Sequence, residues 1–258
     1  MSPKRRFTRK EIKKEDEFIS TIDRIYDFLV PLVIKYKRWI TIGVVIAVGV
    51  TLFLTGWHYY RRSMEEKAQA MLFLPIKIYH LPVGAEAKDF RMRSDLPRFS
   101  TLPEKFQYVL DELGKVIEKY PSSDAAAQAR YYQGLCYFRL GKMELAIKRL
   151  KETLDSNPPK SVAILASYTL GEIYEGVGKN KEAIVYYQRV LNKGKEIIPE
   201  DEALWRIASC YINEGKGEKA LPLLQRIIEK FPNSPHRDEA EKEANYISPQ
   251  ASLARENS

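Results

Sequence analysis

Apolar residues recur along most of this chain at intervals of three and four, the spacing that lines one face of a helix. One stretch departs from that rhythm because it has no charged face at all. From Trp39 to Trp57 the sequence reads WITIGVVIAVGVTLFLTGW, 19 residues without a charge. At about 1.5 Å of rise per residue a helix of that length reaches about 28 Å, close to the roughly 30 Å of a bilayer's hydrocarbon core. Trp39 at one end, and Trp57, Tyr59 and Tyr60 at the other, supply interfacial aromatics, with Lys37, Arg38, Arg61 and Arg62 just outside them. The pattern predicts a membrane span over 39–58.

The flanks of the span differ. In the arm over 1–38, Thr8-Arg-Lys-Glu11 has the form of a capping box, and Phe18, Ile22, Ile25, Leu29 and Val33 recur at helical spacing. That predicts an amphipathic helix with basic neighbours, suited to an anionic leaflet, with Pro31 placed to bend it toward the span. After the span, residues 59–80 continue as a juxtamembrane helix that Pro75 should interrupt. Residues 81–103 carry three prolines and little periodicity, which predicts a connecting loop.

From residue 104 the pattern repeats itself at a shift of 37. YYQGLCYFRLGKMELAIKRL from 131 aligns with YTLGEIYEGVGKNKEAIVYY from 168 and WRIASCYINEGKGEKALPLL from 205. The columns are Gly134, Gly171 and Ala208; Tyr137, Tyr174 and Tyr211; Gly141, Gly178 and Gly215; Ala146, Ala183 and Ala220; then Leu150, Tyr187 and Leu224. A column that accepts alanine needs small size, so it marks the close approach of a neighbouring helix. A column that is glycine every time, where the first helix ends, predicts a left-handed C′ cap. Each unit therefore reads as a helix, a tight turn and a second helix.

These columns resemble the tetratricopeptide repeat, whose signature runs aromatic, Leu-Gly, Tyr, then Ala, Phe and Pro. Pro158 and Pro232 match its closing proline and Lys195 does not. A degenerate earlier unit is suggested by Val109, Leu113, Val116 and Pro121, with residues 62–80 as its first helix, and the polar segment 238–247 suits the capping helix that a solenoid end requires. The expected fold is all-α: one transmembrane helix, a tetratricopeptide-like solenoid over 104–247 and a flexible tail over 248–258.

Charge changes the picture of partners. The net charge of +8 would suggest nucleic acid, but residues 1–38 hold 11 Lys/Arg against 6 Asp/Glu, whereas 104–258 hold 23 of each. The repeat region is neutral, which argues against a nucleic-acid-binding domain. A chain with 29% charged residues is not a polytopic membrane protein either. The excess of basic residues in the arm, and the ease with which long domains translocate, predict a cytoplasmic N-terminus and a C-terminal domain outside.

Candidate chemistry is sparse. Cys136 and Cys210 share one apolar column with Ile173 between them, which reads as buried packing, too far apart for a disulfide. His58, His80 and His236 have no metal-ligand spacing, and no phosphate-binding, dinucleotide or nucleophile-elbow motif occurs. The expectation is a non-enzyme with no catalytic residue, no metal and no cofactor. The first helices of such repeats line a concave face, so Tyr131, Leu135, Phe138, Tyr168, Glu175, Trp205, Ile212 and Asn213 are the candidate partner-binding groove. An aromatic ladder with few charges would suit an extended or partly unfolded polypeptide. Within the span, Gly43, Ala47, Thr51 and Thr55 form a stripe of small residues that would let two spans pair, as in a homodimer.

A basic arm, one signal anchor and a C-terminal repeat solenoid together resemble the YfgM-type inner-membrane proteins of bacteria, ancillary to the Sec translocon. That resemblance implies a periplasmic scaffold that receives translocated chains or recruits chaperones, with translocon components as partners. Two alternatives share the architecture. One is an envelope coordinator of the Tol-Pal or outer-membrane assembly type, although no lipobox cysteine is present; the other is a cytosol-facing anchored import receptor.

Overall fold

The computed structural model describes residues 9–83 and 96–256. The Thr8 capping box and the side chains of Phe18, Ile22, Ile25, Leu29 and Val33 lie outside the described residues. Those described form helices and their connections, with no strand among them: α1 (Arg9–His80), α2 (Leu102–Lys119), α3 (Asp124–Arg139), α4 (Met143–Asp155), α5 (Lys160–Gly176), α6 (Asn180–Lys193), α7 (Glu200–Asn213), α8 (Gly217–Lys230) and α9 (Arg237–Glu256). The chain divides into two compact units, Met1–Arg62 and Ser63–Ser258, and α1 contributes to each.

In the first unit, α1 contains a window long and apolar enough to cross a membrane, and no protein covers it. The helix passes through Pro31 without ending. The threonines satisfy their hydroxyls locally: Thr41 donates to the Lys37 carbonyl at 2.7 Å, Thr51 to Ala47 at 2.8 Å and Thr55 to Thr51 at 2.7 Å. No polar atom of Thr51 or Thr55 therefore requires a partner in lipid, and packing is the term left to the stripe.

In the second unit α1 does not stop at Pro75, where an interruption was expected, but runs on to His80. A proline inside a helix costs one backbone bond and crowds the preceding turn. Here the turns on both sides are held by burial, since Leu72 and Ile78 are fully enclosed with Val109, Leu113 and Val116 of α2. The end of α1 and α2 are thus the degenerate first hairpin. Two side chains fasten it. Lys105, 4% exposed, donates through Nζ to the carbonyls of Tyr79 at 3.0 Å and Leu81 at 2.7 Å, satisfying the orphan acceptors at the end of α1. Glu65 accepts from the backbone N–H groups of Asp124 at 2.8 Å and Ala125 at 3.0 Å, capping α3.

The three regular hairpins follow the expected columns. Gly141, Gly178 and Gly215 have φ of 72°, 73° and 70°, the left-handed region. At each, two backbone bonds close the helix end, as where Gly141 N–H donates to the Phe138 carbonyl at 3.0 Å and Lys142 N–H to Tyr137 at 2.9 Å. This is the Schellman arrangement, which glycine adopts without a Cβ penalty. The small column faces the large one within the same hairpin. A Cβ on Gly134 would lie 2.7 Å from Leu150 Cγ, and one on Gly171 would lie 2.5 Å from Tyr187 Cε1. Leu150, Tyr187 and Leu224 are all fully buried. Cys136 and Cys210 are free and buried in different clusters of the core.

The last hairpin is covered by α9 through Ala240, Ala244 and Ile247, the capping role expected of 238–247. Residues 248–256, expected as a flexible tail, continue α9 as helix.

Gly171→Ala should destabilise the second unit by about 1–3 kcal/mol through overpacking. Adding Tyr187→Leu recreates the small–large pairing that Ala208 and Leu224 already make, so the double variant loses less than the sum of the single losses. A denaturant double-mutant cycle measures this, and strict additivity would show that the two positions do not press on each other.

Candidate functional site

The first helices α3, α5 and α7 carry all eight residues of the expected groove. Tyr131, Leu135 and Phe138 lie on α3, half-buried on successive turns. The Tyr131 ring meets Tyr132 edge-on at 5.5 Å. Burial pushes its hydroxyl up to about 12. On α5, the Tyr168 ring lies 5.8 Å from that of Tyr187 and its hydroxyl donates to Glu202 Oε1 at 2.5 Å. Glu175 accepts the Tyr187 hydroxyl at 2.7 Å. On α7, Trp205 stacks on His236 with centroids 5.4 Å apart and planes within 6°. Ile212 packs toward α8 and α9, while Asn213, the last residue of α7, is exposed.

A face with few charges was expected, and here the structure differs. Arg206 stands among three carboxylates: Nε bonds Glu202 Oε1 at 2.8 Å, Nη1 lies 3.5 Å from Glu175, and Nη2 lies 3.6 Å from Glu172. Its guanidinium also sits 5.8 Å from the Tyr168 ring centre. The second oxygen of Glu202 meets His236 Nε2 at 2.5 Å. Glu202 therefore ties α5, α7 and the start of α9 together through one carboxylate.

Glu172, Glu202, Arg206 and His236 were not singled out in the sequence because their columns do not repeat. The column of Glu172 holds Leu135 and Ser209, that of Arg206 holds Tyr132 and Thr169, and that of Glu202 holds Gln128 and Leu165. The signal available was spacing: 172 and 175 follow Tyr168 by four and seven, which puts them on one stripe of α5, and 202 precedes Trp205 by three, which puts these two on one stripe of α7.

The surroundings separate the carboxylates. Burial pushes Glu172 up, and the neighbouring Glu202 and Glu175 add to that effect against Arg206. Burial acts the same way on Glu202, but bonds from Tyr168, Arg206 and His236 outweigh it and hold its carboxyl below the ordinary range. Tyr168 and Tyr187 are raised by burial and by the carboxylates they donate to. Burial pushes the Cys136 and Cys210 thiols up to about 12, so neither supplies a thiolate. Among the described residues no group of three His, Cys, Asp or Glu side chains is placed to hold a metal ion.

Residues 128–159 and 202–234 match one family model of the tetratricopeptide repeat, and residues 165–192 match another. Those three stretches carry tetratricopeptide repeats. Stacked helical hairpins of this kind present extended surfaces to other proteins. No curated protein matches the chain. Among solved structures, one of MamA is 25% identical with a TM-score of 0.40, over 48% of this chain and 63% of that one. A second MamA structure is 17% identical with a TM-score of 0.43, over 69% and 99%. YrrB, described as a TPR protein with an unusual peptide-binding site, is 20% identical with a TM-score of 0.42, over 59% and 83%. This chain thus spans less than two thirds of the length of the first MamA chain.

Glu202→Gln should lower stability at pH 7 by about 1–3 kcal/mol, since it removes charge-assisted bonds from a mostly buried carboxylate. A depressed carboxyl stabilises the fold above its unfolded value, about 4.3, and loses that contribution as pH falls through the folded value. The gap between the variant and the parent should therefore narrow below about pH 4, as read from thermal midpoints across pH. A gap that stays constant down to acid pH would show that the carboxylate charge contributes nothing.

Proposed function

We propose that this protein is a membrane-anchored scaffold that holds other polypeptides on the first helices of its tetratricopeptide repeats. The observation that carries this reading is the run of half-buried apolar side chains Tyr131, Leu135 and Phe138 on one stripe of α3, continued by Tyr168 on α5 and Trp205 on α7. Side chains in that state keep contact area to offer while the scaffold holds their rotamers, which lowers the entropic cost of binding. Glu175, Ile212 and Asn213 border the same stripe.

The anchor in this reading is the uncharged run of α1, with the basic arm in the cytoplasm and the repeats on the far side of a bacterial inner membrane. The excess of positive charge in residues 1–38 supports that orientation. A periplasmic repeat domain on a single span suits work beside the Sec translocon, receiving emerging chains or recruiting chaperones. Gly43, Ala47, Thr51 and Thr55 would then face either a translocon helix or a second copy.

Truncating Tyr131, Phe138 and Trp205 together to alanine should abolish partner capture in cells while the circular dichroism of the helices stays unchanged. Loss of helicity would instead make these residues core. Photo-crosslinks from position 43 and position 205 should yield a membrane protein and a secretory polypeptide respectively. In sealed inside-out vesicles, added protease should spare the repeats and remove the arm; digestion of the repeats would reverse the topology and favour a cytosol-facing receptor.

A further inference from the structure

Within the scaffold reading, on which this step rests, the charges beside the apolar stripe bear on the kind of segment it takes. We infer that the face formed by α3, α5 and α7 binds an extended polypeptide segment that places one lysine or arginine beside Glu172 and its apolar side chains along Tyr131, Leu135 and Phe138.

The first ground is charge. Glu172, Glu175 and Glu202 surround one guanidinium, that of Arg206, and Glu202 also meets the His236 ring. Arg139, on α3, acts on Glu172 only through its field. The carboxylates outnumber the guanidinium among them, and geometry singles out the least paired of the three. Glu202 is bonded by Tyr168, Arg206 and His236, and Glu175 by the Tyr187 hydroxyl. Glu172 has only a guanidinium contact at 3.6 Å, beyond hydrogen-bond length, although its side chain is 33% exposed. A carboxylate that is two-thirds buried and so loosely paired gains more from an added cation than a fully solvated one does.

The second ground is position. Tyr131 packs on the core cluster that holds Ala166, Leu170 and Ile173 of α5, the helix that carries Glu172. The apolar stripe and the under-compensated carboxylate are therefore neighbours across the α3–α5 contact. The raised carboxyl of Glu172 agrees with this, since burial and two neighbouring carboxylates disfavour its charge until a cation arrives. A metal ion is the less suitable cation, because no three ligating side chains converge among the described residues. A long side chain that packs its methylenes on the tyrosine and delivers one charge fits both features.

The test uses the full chain in nanodiscs of neutral lipid and three fluorescent dodecapeptides with the same apolar residues, differing only in a central Lys, Gln or Glu. Fluorescence anisotropy should show the Lys peptide binding roughly tenfold more tightly than the Gln peptide and the Glu peptide more weakly than either, with the preference shrinking as salt rises. Glu172→Gln, close to isosteric, should bring the Lys and Gln peptides within about twofold of each other. Arg139→Gln, at an exposed position, should widen their difference. Equal binding of the Lys and Gln peptides to the unaltered protein would overturn the charge preference and leave the scaffold reading standing. Failure of all three peptides to bind a fully helical protein would overturn both.

Discussion

Inside each regular hairpin a residue with little or no side chain faces one that is large, and the geometry of the repeats follows from that contact. With glycine at 134 and 171 the backbone of the first helix comes within van der Waals contact of Leu150 and Tyr187, closer than any Cβ would allow. Close packing of that kind fixes how the two helices cross, because a core at crystal-like density leaves no alternative seat for the large side chain. The left-handed glycine at the turn then sets where the second helix begins, so the two glycine columns together determine the shape of a unit. The same contact has a consequence at the surface. In the α5–α6 hairpin the large residue is tyrosine, and its ring buries against Gly171 while its hydroxyl emerges at Glu175. A packing constraint thereby orients one of the three carboxylates around Arg206.

The charged cluster is correspondingly a product of stacking. Tyr168, Glu172 and Glu175 come from α5, Glu202 and Arg206 from α7, and His236 from the turn before α9. No single hairpin contains enough of them to satisfy one another. Partly buried charges of this sort are costly unless bonded, and most of these are bonded. The exception, Glu172, adjoins the apolar stripe of α3. A scaffold of repeated units thus gains one position that differs from the rest, by placing non-repeating residues on a repeated frame.

The N-terminal hairpin illustrates how the same frame survives a weak sequence. Its first helix contains Pro75, yet Leu72 and Ile78 are as buried as any residue of the regular units. Lys105 satisfies carbonyls at the end of α1, and Glu65 joins Ser123 in capping the start of α3. Burial on both sides of the proline explains why α1 runs through it, where local propensity alone favours a break.

The sequence by itself determined the all-α class, the unit and its period, the roles of both glycine columns, the buried cysteines and the apolar run long enough to cross a membrane. Each of these rests on contacts a few residues apart or on a column repeated three times, so the physics is local or written redundantly. Only the tertiary structure decided that the face of the aromatics is charged, that Trp205 is stacked under His236 and that Glu202 joins α5, α7 and the turn before α9. Those contacts link residues 31 to 34 positions apart whose columns differ from unit to unit. Neither periodicity nor composition encodes which of them meet, because that depends on how one hairpin is laid on the next.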